Sequence, residues 1–176
     1  MPDLRLATDA DVPAIAALME RAIAELQRGF LTAEEIAASR KAMGLDRQLI
    51  ADGTYFAVEE AGRLVGCGGW SFRATLYGGD VHAGLRDSRR LDPAREPARV
   101  RAMYTDPAHA RRGIGRLLLD RCEAAARAAG FERVELMATL AGEPLYAACG
   151  YVPIERVASM AATAVSVPGV RMGKAL

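Results

Sequence analysis

The segment 99–130 constrains the fold of this chain more than any other stretch. Its first part, residues 100–105, is rich in apolar and β-favouring residues and predicts a buried strand. Asp106 and Pro107 end that strand, because proline cannot donate to a sheet ladder. A helix follows after a short loop, with apolar residues along one side and Gly130 at its C-terminal end. The segment therefore predicts a strand–loop–helix unit.

The loop that opens this helix has the composition of an anion-binding site. It reads Arg111-Arg112-Gly113-Ile114-Gly115-Arg116. The first amides of a helix lack intrahelical partners, so that they and the helix dipole stabilise a phosphate placed there. A helix start that binds nothing, with its arginines in water, is the simpler alternative. From these residues alone both interpretations stay open.

Two nucleotide-binding motifs can be compared with this loop. A Walker loop, GxxxxGK[ST], is excluded because no lysine or hydroxyl residue follows Gly115. A dinucleotide fingerprint, GxGxxG, is matched by Gly113 and Gly115, but Leu118 stands at the position of the third glycine. Glu135 lies 20 residues beyond Gly115, where a ribose-binding acid would stand, so this interpretation stays open.

Composition limits the classes of protein that fit. The chain of 176 residues is 51% hydrophobic and 26% charged, which predicts one globular domain over residues 1–176. A net charge of +1 gives no basis for binding nucleic acid or a membrane surface. No apolar run approaches the roughly 20 residues of a membrane span, and the N-terminus does not resemble a signal peptide. A cytoplasmic location is therefore expected.

The three cysteines predict neither a disulfide framework nor a metal site. Cys67, Cys122 and Cys149 are far apart in the sequence, and each has apolar neighbours. Neither CxxC nor a His/Cys spacing typical of metal sites occurs. Buried free thiols and no bound metal are the expectation.

The rest of the chain shows alternating strand and helix patterns. Strands are predicted at 4–7, 54–59, 64–72, 100–105, 133–138, 151–154, 158–166 and 170–172, and helices at 9–28, 32–43, 45–52, 111–129 and 143–149. Gly66, Gly68 and Gly69 interrupt the third strand and indicate a bulge or a close neighbouring chain. Residues 73–98 show no periodicity and are predicted to form an irregular loop. This order predicts an α/β (α+β) fold, with a mixed sheet and helices on both faces.

In this context the central segment resembles the acetyl-CoA-binding core of the GNAT superfamily of N-acetyltransferases. The match comprises the apolar strand, Thr105-Asp106-Pro107, the loop Ala110-Arg111-Arg112-Gly113-Ile114-Gly115 and the leucine-rich helix. The family's loop has the form [QR]-x-x-G-x-[GA], and its leading Gln or Arg falls on Ala110. A second motif at 144–151, PLYAACGY, is similar to the family's late helix. The order of elements agrees over nearly the whole chain.

The resemblance implies a GNAT-like single domain with a mostly antiparallel sheet of about six or seven strands, and acetyl-CoA as cosubstrate. It implies main-chain contacts to the pantetheine and the acetyl carbonyl at Met103, Tyr104 and Thr105. The pyrophosphate contacts it implies fall on Arg111, Arg112, Gly113, Ile114, Gly115 and Arg116. Tyr146 stands where many members carry the tyrosine that protonates the leaving thiolate. Thr139 stands where some members carry an asparagine that contacts CoA.

The implied reaction is direct acetyl transfer to a primary amine of a small molecule or peptide. The acceptor is expected to contact residues 24–43 and the loop 73–98. Residues 99–102 lack the carboxylate that several relatives use as a base. The candidates for that base are His82, Asp80, Asp92, Glu96 and a chain of water molecules. A non-catalytic acyl-CoA-binding or sensor module is the alternative function, and a homodimer stays open.

Overall fold

The computed structural model describes residues 2–80 and 86–176. The strands are β1 (Asp3–Leu6), β2 (Tyr55–Glu60), β3 (Arg63–Ser71), β4 (Ala98–Thr105), β5 (Arg133–Thr139), β6 (Val152–Val157) and β7 (Gly169–Ala175). The helices are α1 (Val12–Leu26), α2 (Ala33–Ser39), α3 (Arg47–Ala51), α4 (Ile114–Ala128) and α5 (Glu143–Ala148). The strands form a seven-stranded sheet in the order β1-β2-β3-β4-β5-β7-β6. Among these described strands only β4 and β5 pair in parallel, which confirms the predicted mixed, mostly antiparallel α+β fold.

Each face of the sheet buries its own apolar layer. On one face, α4 packs Leu118, Leu119 and Cys122 against the strands. On the other face, α1 packs Ile15 and Leu18 against β2, β3 and β4. Helices therefore cover both faces, as predicted. The three cysteines are buried and unpaired, also as predicted.

The start of α2 follows from a local sequence signal. Thr32 Oγ1 accepts a hydrogen bond from the Glu35 amide at 3.2 Å, and the Glu35 carboxylate accepts one from the Thr32 amide at 2.8 Å. This reciprocal pair is the capping box that the sequence predicts. The helix ends at Ser39, earlier than predicted, and hydrogen-bonded turns continue the chain to Met43.

Removing the cap tests this assignment. We expect Thr32→Ala to lower the free energy of unfolding by about 1 kcal/mol, because the Glu35 amide loses its acceptor. Urea unfolding measures the change. Glu34→Ala is the matched control, since Glu34 lies in the same turn and only its charge favours the helix start. A Thr32→Ala variant as stable as Glu34→Ala would contradict the capping role.

The predicted strand over 158–166 is wrong. These residues form a loop closed by a hydrogen bond from Met160 N to Val167 O at 2.7 Å and by one from Val167 N to Ser159 Oγ at 2.9 Å. Met160 and Val167 are buried against Ala38 and Ala42. The segment therefore buries apolar residues as a loop, and β7 fills the ladder position beside β5.

The sheet opens between β4 and β5. The two strands are paired only at Ala98–Val134 and Arg99–Glu135, near their N-terminal ends. Beyond these pairs they share no ladder, whereas each remains paired with its other neighbour. A gap in the middle of the sheet results. No helix in the described part of the chain combines the length and the apolarity that crossing a membrane requires.

Candidate active site

A cavity of about 640 Å³ lies at the gap between β4 and β5. One part of the cavity, which we call the loop end, is lined by residues 110–111 and 113–116 at the start of α4 and by residues of α5. Helix α1, the residues after α2 and the 76–78 stretch line another part, which we call the α1 end. Residues of β4 and β5 line the region between the two.

A bulge in β4 shapes the middle of the cavity. Arg101 pairs with Gly69 and Tyr104 with Cys67, so that two residues of β4 oppose one of β3. Ala102, one of the two bulged residues, has a φ of 52°, which is uncommon for a residue with a Cβ. Tyr55 Oη donates a hydrogen bond of 2.9 Å to Ala102 O, which holds this conformation. This bulge lies in β4, opposite Gly68, where an added Cβ would overlap Met103, so the close neighbouring chain predicted from the glycines of β3 is present. The bulge leaves main-chain groups of β4 outside the ladder beside the cavity.

The loop end is built on Asp106, which follows β4. Its carboxylate accepts hydrogen bonds from Ala108 N at 2.9 Å and from the Arg21 guanidinium at 2.7 Å. Burial acts to raise the pKa of Asp106, but these hydrogen bonds outweigh it and hold the pKa below its ordinary value. A 3-10 turn over Pro107–His109 then carries the chain towards α4. The ionised carboxylate therefore fixes the turn that leads into the arginine-rich loop.

Backbone geometry leaves the first amides of α4 open. Arg111 has a φ of 65° and Gly113 a φ of 87°, both in the left-handed region that glycine adopts without strain. Gly113 is the N-cap residue and provides no side-chain acceptor for the first turn. Gly115 allows α5 to lie close, since a Cβ there would lie 2.7 Å from Leu145 Cδ2. The amides at this end can therefore bind an anion.

The three arginines of the loop have different environments. Arg111 and Arg116 line the cavity, and Arg116 Nη2 donates to Ala148 O at 3.3 Å. Arg112 is not among the lining residues, because its guanidinium makes two hydrogen bonds of 2.9 Å to the Glu60 carboxylate. Its side chain therefore anchors the loop to β2, although the sequence pattern grouped it with the other two.

Three tyrosines line the cavity, Tyr77, Tyr104 and Tyr146, and the last two are buried. Tyr146, on α5, is 8% exposed, and its ring packs edge-on against Tyr151 with 5.9 Å between centroids. Tyr104, on β4, is 7% exposed. Burial raises the pKa of both phenols well above the ordinary value, so that both keep their protons at neutral pH. Sequence reasoning considered only the main chain of Tyr104 and missed this second phenol.

The other predicted contact residues also border the cavity. Met103 and Thr105 on β4, and Gly113, Ile114 and Gly115 at the start of α4, are all lining residues. Thr139 and Ala110, where the sequence departs from the family pattern, line it as well. The structure thus brings together the predicted strand, loop and late helix around one space.

The α1 end is mostly apolar and contains one charged residue. Arg101 lines it and is buried, with Nη2 at 2.6 Å from Asp46 Oδ2 and at 2.6 Å from Gly78 O. Burial lowers the pKa of Arg101 against the opposing attraction of Asp46. Its Nε has no hydrogen-bond partner among the described residues. Nothing in the sequence pattern indicated this buried pair, because its partners are 55 positions apart.

None of the described candidates for the base lines the cavity. Asp80 accepts hydrogen bonds from Arg86 and from Arg47 N. Glu96 is paired with Arg89, whose hydrogen bonds lower the pKa of that carboxyl to about 2. Asp92 is half exposed beside Arg95, and His82 lies outside the described residues. No carboxylate among the described residues lines the cavity. Nowhere in the described part of the chain do three or more His, Cys, Asp or Glu side chains lie close enough together to hold a metal ion.

Known proteins of the same fold were identified by comparison. A GCN5-related N-acetyltransferase from Rhodopseudomonas palustris superposes with a TM-score of 0.70 at 20% identity, covering 100% of this chain and 96% of that one. The paia N-acetyltransferase from Thermoplasma acidophilum, solved with coenzyme A, gives 0.66 at 13% identity and covers 100% and 99%. The protein yncA from Salmonella typhimurium, solved with its cofactor acetyl-CoA, gives 0.65 at 20% and covers 100% and 94%. No match was found among curated protein sequences.

The sequence itself assigns the family. Residues 17–151 match the family model described as "Acetyltransferase (GNAT) family". The matched region runs from within α1 to Tyr151, the residue before β6, and so contains β4, the arginine-rich loop, α4 and Tyr146. On this match, which covers most of the sequence, the chain belongs to the GNAT acetyltransferase family.

Proposed function

We propose that this protein is an acetyl-CoA-dependent N-acetyltransferase, which transfers an acetyl group directly to a primary amine of a small molecule or peptide. The observation that carries the proposal is the single cavity at the gap between β4 and β5. It is lined by the open amides of the arginine-rich loop, by the protonated Tyr146 phenol and by a mostly apolar α1 end. One space can therefore take both the cofactor and the acceptor.

The residues at the loop end fit the pyrophosphate of CoA. The open amides of Gly113, Ile114 and Gly115 supply hydrogen-bond donors, and Arg111 and Arg116 add positive charge. Arg112 contributes through its main chain, because Glu60 holds its side chain. The main chain of Met103, Tyr104 and Thr105 runs beside the cavity, where a pantetheine arm and a thioester carbonyl would lie.

Tyr146 is the proton donor in this proposal. Acetyl-CoA, when bound, supplies the acetyl group as a thioester, whose C–S bond breaks as the C–N bond to the amine forms. The Tyr146 phenol retains its proton until it is needed by the leaving sulfur, because burial raises its pKa. No described carboxylate lines the cavity, so we assign the proton of the acceptor amine to a water chain, with His82 as the alternative.

Ligand-dependent stabilisation tests the cofactor assignment. At a concentration of 100 Kd, acetyl-CoA is expected to raise the Tm by about 5–10 °C, because it binds the folded state alone. Arg111→Gln combined with Arg116→Gln should weaken binding by about tenfold, since both side chains line the cavity. Arg112→Gln is the matched control and should keep the ligand-induced shift. The absence of a shift in the wild type would contradict both CoA-based functions.

A non-catalytic acyl-CoA sensor is the second candidate. The lack of a described carboxylate in the cavity favours it, whereas the protonated Tyr146 favours an enzyme. An assay of thiol release over a panel of primary amines separates the two. Amine-dependent release supports the transferase, and acetyl-CoA binding without release on any amine supports the sensor.

A further inference from the structure

The described charged side chains that line the cavity are all cationic. Among the described lining residues only arginines carry a formal charge: Arg101 at this end, and Arg111 and Arg116 at the loop end. An acceptor with several ammonium groups would therefore meet three cations and no anion among these described residues. The cavity is suited to an acceptor that has an anionic group beside its amine.

The positive charge of Arg101 is only partly compensated by the carboxylates around it, so Arg101 can pair with an anionic group of the acceptor. Its partner Asp46 is shared, since Asp46 Oδ1 also accepts from Arg86 at 3.1 Å, and Arg86 contacts Asp80 at 2.8 Å. Arg47 is the third arginine of this cluster, with Nε 4.0 Å from Asp80. Three arginines therefore share two carboxylates, which leaves one positive charge in excess. Arg101 is the member that lines the cavity, and its buried Nε has no described partner.

The rest of the α1 end suits an apolar side chain. Leu26, Phe30, Met43, Leu76 and Met160 line it, together with two polar residues, Gln27 and Tyr77. Phe30 is 49% exposed, so its ring is accessible to a molecule that enters this end. An apolar surface beside a buried guanidinium can hold a molecule that is apolar at one end and carboxylated at the other.

We propose that the acceptor is a free α-amino acid with an apolar side chain, whose carboxylate pairs with Arg101 while its side chain contacts the apolar residues of the α1 end. This inference rests on the proposed acetyltransferase function and names its substrate class. The α-amine lies one carbon from the carboxylate, so an acceptor held by Arg101 presents its amine close to the bulge at Ala102. In the transfer the C–N bond forms as the C–S bond breaks, the nitrogen gives up a proton to water, the sulfur takes one from Tyr146, and the carboxylate is unchanged.

A set of matched acceptors tests this proposal. Leucine, leucinamide, 3-methylbutylamine and spermidine are each assayed with acetyl-CoA. Leucine and leucinamide share a side chain and an α-amine but differ in the charge that Arg101 would bind. We expect kcat/KM for leucine to exceed that for leucinamide by about 10- to 100-fold, as for other hydrogen bonds between charged groups. Spermidine should be the poorest acceptor.

Variants of Arg101 test whether this residue causes the preference for leucine over leucinamide. Arg101→Gln should raise KM for leucine about tenfold or more and leave KM for leucinamide near the wild-type value. Arg101→Lys, which keeps the charge, should recover part of the preference. Arg86→Gln is the matched control, because it removes a cation from the same Asp46 cluster without lining the cavity.

The outcomes distinguish this inference from the function on which it rests. Acetylation of leucinamide or spermidine as efficiently as leucine would overturn the amino-acid assignment and leave the acetyltransferase function intact. An equal loss for all acceptors in Arg101→Gln would overturn the role of Arg101. If that variant does not fold, the wild-type comparison of leucine with leucinamide decides alone. Binding of acetyl-CoA with no transfer to any amine would overturn both proposals.

Discussion

The variant Tyr146→Phe is expected to lower kcat by about 10²- to 10⁴-fold, the range that a positioned general acid contributes. The loss should fall on kcat alone, because the phenol is proposed to act on the leaving sulfur and not to bind the cofactor. The acetyl-CoA-induced shift in Tm should therefore stay at the wild-type value. Stopped assays of thiol release at saturating substrates measure the effect.

Tyr151→Phe is the control for this variant. Tyr151 packs against Tyr146 but does not line the cavity, so removing its hydroxyl should leave kcat close to wild type. If Tyr146→Phe retained wild-type kcat, or if both variants lost activity equally, Tyr146 would not be the acid.

The pH dependence of kcat provides a second test of the same residue. Burial raises the pKa of the Tyr146 phenol above the ordinary value of about 10, so the acidic form persists through neutral and moderately alkaline pH. Loss of the acceptor's proton becomes easier as pH rises. We therefore expect kcat to rise or level off up to pH ~10, with no alkaline decline caused by Tyr146. A decline that begins near neutral pH would contradict a buried phenol as the donor.

The second large effect is expected from the ion pair between α4 and β7. Glu123 is buried on that helix, and its carboxylate accepts a hydrogen bond from Lys174 Nζ of β7 at 2.8 Å. The other carboxylate oxygen, Oε1, has no described partner, so Lys174 is the main compensation for the charge. Lys174→Met should lower the free energy of unfolding by about 3 kcal/mol, the lower end for breaking a buried pair, because Lys174 is 27% exposed.

A double-mutant cycle separates charge from packing in this pair. Glu123→Gln combined with Lys174→Met removes both charges, and we expect it to recover much of the stability lost in Lys174→Met. Urea unfolding curves of the four proteins give the coupling free energy. A double variant no more stable than Lys174→Met would show that the ammonium contributes by packing and not by charge.

Local signals in the sequence predicted much of the fold. The capping box at Thr32 and Glu35 and the glycines of β3 are such signals, and the structure shows both the cap and the close neighbouring chain at Gly68. The strand at 158–166 was predicted wrongly because the same apolar residues fit either a strand or a buried loop. What decides between loop and strand there is the position of β7 in the sheet and the burial of Met160 against α2, and neither is local.

The candidate site divides in the same way. The loop end could be predicted because consecutive residues, 110–116, build it. The opposite orientations of Arg111 and Arg112 could not, because they depend on Glu60, which lies at the end of β2. The pair of Arg101 and Asp46 was missed for the same reason, since only the folded chain brings β4 next to the residue before α3.

The stoichiometry of a single reaction mixture tests the proposed transfer most directly. Wild-type protein, acetyl-CoA and leucine are incubated together, with thiol followed by a colorimetric reagent and the amine product by mass spectrometry. We predict one free CoA thiol for each N-acetylated amine, and a strong fall in both when leucine is omitted. Thiol release that is equally fast without any amine, or no release with any amine of the panel, would contradict an N-acetyltransferase.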